Sequence, residues 1–206
     1  PSLGSDNENL RIEATKALAI NQKEKASARL IQALKTASSK NELQAIKESL
    51  MRTLSAENSN LLTVEFDGLA PASKVIALEL LNSKRATQHF DLVLDLTSDE
   101  NTQIQEAAYN ALPTISKANN TGELIKLLNA SKNNAGVEKV QIAISNIIAQ
   151  GENNAGEQLI EAFNSGNSKE KLLPVFPSLN SKKGLDIIKG ELNSSNSDIK
   201  KAAVNA

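Results

Sequence analysis

Ser98, Asp99, Glu100 and Asn101 lead into Ile104-Gln105-Glu106-Ala107-Ala108-Tyr109-Asn110-Ala111-Leu112, and this stretch decides the fold. The first four side chains carry oxygens suited to capping free backbone N–H groups at the start of a helix. Counting from Ile104 as offset 0, apolar residues follow at offsets 4, 7 and 8, which is one face of a helix. The same phrase recurs as Leu10, Ala14, Ala17 and Leu18, and as Val140, Ile144, Ile147 and Ile148. A shortened copy begins at Ile199 with Ala203. Ser5-Asp6-Asn7-Glu8 and Ser197-Asp198 supply capping oxygens before two of these copies.

Aligned on offset 8, the chain gives Leu18, Leu54, Leu81, Leu112, Ile148 and Leu179, spaced 27–36 residues apart. A unit of that length holds two helices and cannot bury its apolar face alone, so neighbouring units must stack. The phrase-bearing helices are predicted at 7–20, 40–54, 71–83, 101–115, 136–150, 169–179 and 197–206. The intervening helices are predicted at 22–37, 59–68, 86–97, 121–130, 153–164 and 181–192. Asn and Ser cluster in the gaps at Asn119-Asn120, Asn133-Asn134, Asn153-Asn154 and Ser194-Ser195-Asn196-Ser197, where their backbone-bonding side chains favour turns. Gly122, Gly136, Gly151, Gly156, Gly166 and Gly184 read as helix stops, whereas Gly190 falls inside a predicted helix. Pro71 fits the first position of a helix. Pro174 and Pro177 lie inside one, and that helix is expected to be short, kinked or broken.

The cap–apolar–Ala–Ala–Leu phrase, clearest at Ser98–Leu112, Ser5–Leu18 and Ser197–Ala206, resembles HEAT-like repeats of the wider armadillo-type family. The resemblance covers nearly the whole chain. It implies an all-α fold, a right-handed α-solenoid of about six stacked helix pairs, forming a single domain over 1–206. It also implies a scaffold that binds another protein or peptide along its concave surface, since most members of the family act so. A minority are enzymes of lyase or glycosylase type.

Composition narrows the chemistry. With 23 basic and 24 acidic residues the net charge is −1, which argues against a dedicated nucleic-acid binder. Aromatic residues make up only 2%, so the core must be built from Leu, Ile, Val and Ala. The absence of Cys removes thiolate metal sites and cysteine nucleophiles. His89 is the one histidine, in a stretch without a nucleophile motif, and reads as a surface or interface residue. The acidic clusters at Asp95, Asp99 and Glu100 and at Asp6 and Glu8 read as helix caps, not as a calcium loop. No phosphate-binding glycine loop occurs. No catalytic residue, metal site or cofactor is therefore expected. No stretch of 18 apolar residues occurs, and the expectation is a soluble protein, with a lean to a secreted or periplasmic one. The chain starts at Pro1 without Met and breaks off inside a phrase at Ala206, which reads as a portion of a longer protein whose ends can associate end to end.

If offsets 0, 4, 7 and 8 are buried, the opposite direction on each phrase-bearing helix lies near offsets 2 and 6. Offset 6 reads Lys16, Arg52, Glu79, Asn110, Asn146, Pro177 and Asn205; offset 2 reads Ile12, Glu48, Val75, Glu106, Ile142, Leu173 and Lys201. Beside them, at offset 5, stand Met51, Leu78, Tyr109 and Phe176. Candidate partner-binding residues are accordingly Glu48, Arg52, Glu79, Glu106, Tyr109, Asn110, Ile142 and Asn146. The first reading is a non-catalytic interaction scaffold. The second is an accessory array that positions a neighbouring catalytic domain in a larger secreted bacterial protein, and the third is a HEAT-like enzyme.

Overall fold

The computed structural model describes residues 2–132, 134–151 and 154–206. Asn133 and Asn153, placed in inter-helix gaps above, lie outside the described residues. The chain divides into two compact units, Pro1–Ala111 and Leu112–Ala206. Among the described residues every regular element is helical.

The first unit holds α1 (Glu8–Gln22), α2 (Ser27–Thr36), α3 (Lys40–Thr53), α4 (Asn60–Val64), α5 (Pro71–Ser83), α6 (Phe90–Leu96) and most of α7 (Thr102–Ile115). Here α1 packs on α3 and α3 on α5, while α2 packs on α4 and also on α3. The phrase-bearing helices thus form one layer and their partners a second. The second unit holds α8 (Thr121–Ala130), α9 (Asn134–Ala149), α10 (Ala155–Asn164), the single turn α11 (Lys169–Leu172), α12 (Lys182–Glu191) and α13 (Ser197–Asn205). Its α8 packs on α10, α9 on the segment that follows α11, and that segment on α13. These are all-α helical repeats, as the HEAT-like resemblance implies.

The local starts follow the capping chemistry. Asn7 Oδ1 accepts the N–H groups of Asn9 and Leu10 at 2.9 and 3.3 Å. Asn101 Oδ1 does the same for Gln103 and Ile104, and Ser39 Oγ for Glu42. At α13 the cap is Asn196, which serves Asp198 and Ile199; Ser197 is already the first helical residue. Each such cap contributes about 1 kcal/mol.

The phrase positions of α3, α5 and α7 are buried in the core, whereas in α1 Leu10 and Ala17 are exposed. Ile46, Leu50, Thr53 and Leu54 are at most 3% exposed, as are Ile104, Ala108, Ala111 and Leu112. Ser73, Ala77, Leu80 and Leu81 are fully buried. Small residues at offsets 4 and 7 let helices approach closely, and each fully buried Leu or Ile contributes about 1.5–3 kcal/mol. Side-chain bonds between residues about one repeat apart add to the stacking. Arg11 grips Glu42 with two hydrogen bonds, Lys35 pairs with Glu65 at 2.6 Å, and Lys47 with Glu79 at 2.8 Å. In the second unit Gln141 donates to the Lys171 carbonyl, and Lys171 Nζ to those of Asn129 and Ser131, beside the end of α8.

The prolines break their helix as expected. After one α-turn the chain tightens into a 3-10 helix over Leu173–Leu179 and ends at Asn180 with φ 43°. Ser168 does not cap this segment: it is itself left-handed at φ 48° and its side chain makes no capping bond. Phe176 packs edge-on against Phe163, with ring centres 5.0 Å apart.

The glycines correct one expectation. Gly151 and Gly166, at φ 75° and 85°, are turn residues as read from sequence. Gly122, Gly136, Gly156 and Gly184 instead stand in the first turns of α8, α9, α10 and α12. For two of them the reason is space: a Cβ on Gly156 would lie 2.7 Å from Leu179 Cδ2, and one on Gly184 3.2 Å from Leu179 Cδ1. Both glycines make room for the same leucine.

Candidate peptide-binding groove

Helices α5 and α7 position the candidate site, and both present it within the first unit. Pro71 begins α5 at a place where its missing N–H costs nothing. Asn101 begins α7, its own N–H held by Asp99 Oδ1 at 2.8 Å. Because each helix buries offsets 0, 4 and 7, it turns offsets 2 and 6 away from the core. Between them runs an open groove of about 480 Å3. Helix α5 lines it with Ala72, Val75, Glu79 and Asn82, and α7 with Gln103, Glu106, Ala107 and Asn110. Val75 and the two alanines give it apolar surface between carboxylates and amides.

Its polar groups differ in how far they are already engaged. Glu79 is paired with Lys47 of α3, while Glu106 has no ion pair among the described residues. Asn82 Nδ2 donates to the Asn110 backbone carbonyl at 3.5 Å, tying the two helices together. Glu106 and Asn110 are exposed. On α3, Glu48 is exposed and accepts a hydrogen bond from Gln44 at 2.8 Å, and Arg52 is exposed in the last turn. Tyr109 is buried, at 6% exposure, and so stands beneath the exposed row and not on it.

In the second unit Ile142 is 38% exposed on α9. Asn146 is exposed, but its amide already donates to the Pro113 carbonyl at 3.2 Å. The offset 6 row is exposed in all seven copies, from Lys16 to Asn205. Offset 2 is mixed: Glu48, Glu106, Ile142 and Lys201 are exposed, Ile12 and Val75 half-buried, and Leu173 fully buried in the 3-10 segment. Asn82 and Gln103, which complete the α5–α7 groove, lie outside those two rows. Gln103 directly precedes offset 0 and Asn82 directly follows offset 8, so only the packing of one helix on the next brings them in.

His89 is more engaged than a surface reading allows. Its Nε2 lies 2.8 Å from Ser59 Oγ. Ser59 is fully buried and donates its own hydroxyl proton to the Ala56 carbonyl at 2.6 Å, while Gln88 Nε2 donates to the same oxygen. With that proton committed, His89 is the donor in the pair, Nε2–H to Ser59. This is the reverse of a base activating a nucleophile. The pair ties the start of α6 to the start of α4, and burial lowers the His89 pKa. Glu65 lies below the usual carboxylate range because Lys35 hydrogen-bonds to it, and Glu57 because its own backbone N–H and Ser55 do so. Among the described residues no three His, Asp or Glu side chains gather as metal ligands. No helix is long and apolar enough to cross a membrane.

No family model matches the chain, and no curated protein does. Solved structures similar to it include an engineered protein at 18% identity and TM-score 0.49, covering all of this chain and 65% of the other, so the chain spans under two thirds of that protein's length. A second engineered protein matches at 15% identity and TM-score 0.46, over all of this chain and 92% of its own. A designed armadillo repeat protein in complex with the peptide (KR)4 matches at 14% identity and TM-score 0.49, over 98% of this chain and 94% of its own.

Proposed function

We propose that this chain is a non-catalytic scaffold that holds an extended segment of a partner protein in the groove between α5 and α7. The observation that carries the reading is the coincidence of an open groove with the row of residues that packing leaves unused. Val75, Ala72 and Ala107 offer apolar contact, and the Asn110 and Gln103 amides offer donors and acceptors to a peptide backbone. Glu106, exposed and without an ion pair among the described residues, offers a charge to a basic or N–H-bearing group. Such a surface binds through a few central contacts and not through its whole area.

The test is selection from a random displayed peptide library on the immobilised chain, followed by titration of the recovered peptides. Replacing Glu106→Arg together with Asn110→Arg should weaken binding about tenfold or more. Lys126→Glu, at an exposed position on α8, should leave it unchanged. Peptides that bind the double variant as tightly as the native chain would refute the groove.

A further inference from the structure

Offsets 2 and 6 of the first unit carry five charged side chains, all exposed: Lys16, Glu48, Arg52, Glu79 and Glu106. Three of them are engaged inside the unit. Lys16 pairs with Glu13 at 2.9 Å, Glu79 pairs with Lys47 at 2.8 Å, and Glu48 accepts the Gln44 amide at 2.8 Å. Arg52 and Glu106 have no ion pair and no side-chain hydrogen bond among the described residues. Glu48 stands four residues before Arg52, a spacing at which a carboxylate and a guanidinium pair on one helix. It turns to Gln44 instead and leaves Arg52 open.

Both open charges belong to one packed row. Helix α3 packs on α5. Ser83 Oγ donates to Met51 Sδ at 3.2 Å, and Asn82 Nδ2 donates to the Asn110 carbonyl. These bonds join the later turns of α3, α5 and α7, so the three helices run in parallel. Arg52 is then level with Asn110, and Glu106 lies one turn earlier on α7. Two helix spacings of about 8–10 Å and one turn of about 5.4 Å set the two positions about 17–21 Å apart. An extended chain rises about 3.3 Å per residue, so about five or six residues span that distance. Between the two ends Met51 is 40% exposed beside Arg52, and Val75, Ala72 and Ala107 line the groove. The one charge on the way, Glu79, is already matched by Lys47.

We propose, resting on the groove reading above, that the occupant is an extended segment with charges of both signs. An acidic side chain meets Arg52 and a basic one meets Glu106, about five or six residues further along the segment. Small apolar residues lie between them, over Met51 and Val75. A wholly basic segment sets one of its charges against Arg52, and a wholly acidic one sets a charge against Glu106. Exposed pairs of this kind add little affinity each. Their effect is on register and on which way round the segment lies, since a slipped or reversed segment brings like charges together.

Displayed-peptide selection on three immobilised proteins tests this: the native chain, Arg52→Glu and Glu106→Arg. Peptides selected on the native chain should carry an acidic and a basic residue about five or six positions apart. Arg52→Glu should bind them about tenfold more weakly. Changing the acidic residue of such a peptide to Lys should restore its binding to Arg52→Glu and weaken its binding to the native chain. Selection on Arg52→Glu should return basic residues at both places, and selection on Glu106→Arg acidic ones at both. Should the Arg52 reversal fail to fold, Arg52→Gln should still weaken binding about threefold. Native-selected peptides without the acidic residue overturn this inference and leave the groove standing. So do peptides that bind Arg52→Glu as tightly as the native chain yet respond to Glu106→Arg with Asn110→Arg. A native chain that yields no peptide, or peptides indifferent to every one of these variants, overturns the groove and this inference with it.

Discussion

Helix α12 carries two glycines whose replacement by alanine should act with opposite sign. At Gly190 an added Cβ meets nothing within 4 Å, and the backbone is not left-handed. Gly190→Ala therefore gains the ordinary helix preference of alanine, about 0.5–1 kcal/mol. At Gly184 the Cβ falls 3.2 Å from the Phe176 carbonyl oxygen, 3.2 Å from Leu179 Cδ1 and 3.3 Å from Leu179 Cβ. The Phe176 carbonyl and Leu179 Cβ are fixed by the 3-10 backbone and cannot swing aside as a side-chain tip can, and Leu179 Cδ2 already fills the notch at Gly156. Overpacking of this kind costs about 1–3 kcal/mol, and in the first helical turn the propensity gain offsets only part of it. The expected net loss for Gly184→Ala is about 1–2 kcal/mol. In a chain of this size each kcal/mol moves the melting temperature by about 2–4 °C, so the two variants should melt roughly 5 °C apart on either side of the native protein. Thermal melts followed by circular dichroism read this directly. A Gly184→Ala protein that melts at or above Gly190→Ala would refute the view that Gly184 is there for space.

Ala108 is fully buried in α7, so Ala108→Asp places an unpaired carboxylate in a packed seam and should cost about 3–5 kcal/mol; an unchanged urea midpoint would show that the register of the phrase is misread. His89 is the only histidine, and burial sets its folded pKa below the unfolded value of about 6.5. Its contribution is therefore complete above about pH 6.5 and is lost as pH falls toward the lower folded value. The carboxylates Glu57 and Glu65, also lowered, begin to lose theirs only below about pH 4.5. Between about pH 7.5 and pH 5.5 the native urea midpoint should fall, and His89→Gln should flatten that slope; equal slopes would refute the assignment.

The phrase made α1, α3, α5 and α7 legible in the first unit and α9 and α13 in the second, because offsets 0, 4, 7 and 8 are a local pattern that burial then enforces. Predicted 71–83 coincides with Pro71–Ser83, and 40–54 with Lys40–Thr53. The alternate layer was harder to place. Predicted 59–68 is Asn60–Val64 followed by a 3-10 turn over Phe66–Gly68, and predicted 22–37 opens with a 3-10 turn at Lys23, at φ 47°. These helices are short, so packing of residues such as Phe66, 2% exposed, shapes them more than propensity does. Glycine was ambiguous for a related reason: a turn and a notch for Leu179 look alike until both helices are in place. Of the candidate binding residues, Glu79, Glu106 and Asn110 were found as the complement of the buried face. Tyr109 stood one offset nearer the core, where a small rotation of the helix separates an exposed ring from a buried one.

Two rows of the same helices therefore carry different kinds of information. In α3, α5 and α7 the buried row is held to Ile, Leu, Ala and small polar residues, because each must fit the helices packed against it. The offset 6 row is exposed in every copy and reads Lys16, Arg52, Glu79, Asn110, Asn146, Pro177 and Asn205: two cations, a carboxylate, three amides and a proline. Packing constrains the first and leaves the second free, so the fold can be deduced from any one good copy and the partner from none. Under the proposed function, recognition lies in the order of dissimilar residues along the exposed row of each unit. On this chain that order is completed into a groove where Glu79 and Asn82 of α5 meet Glu106 and Asn110 of α7.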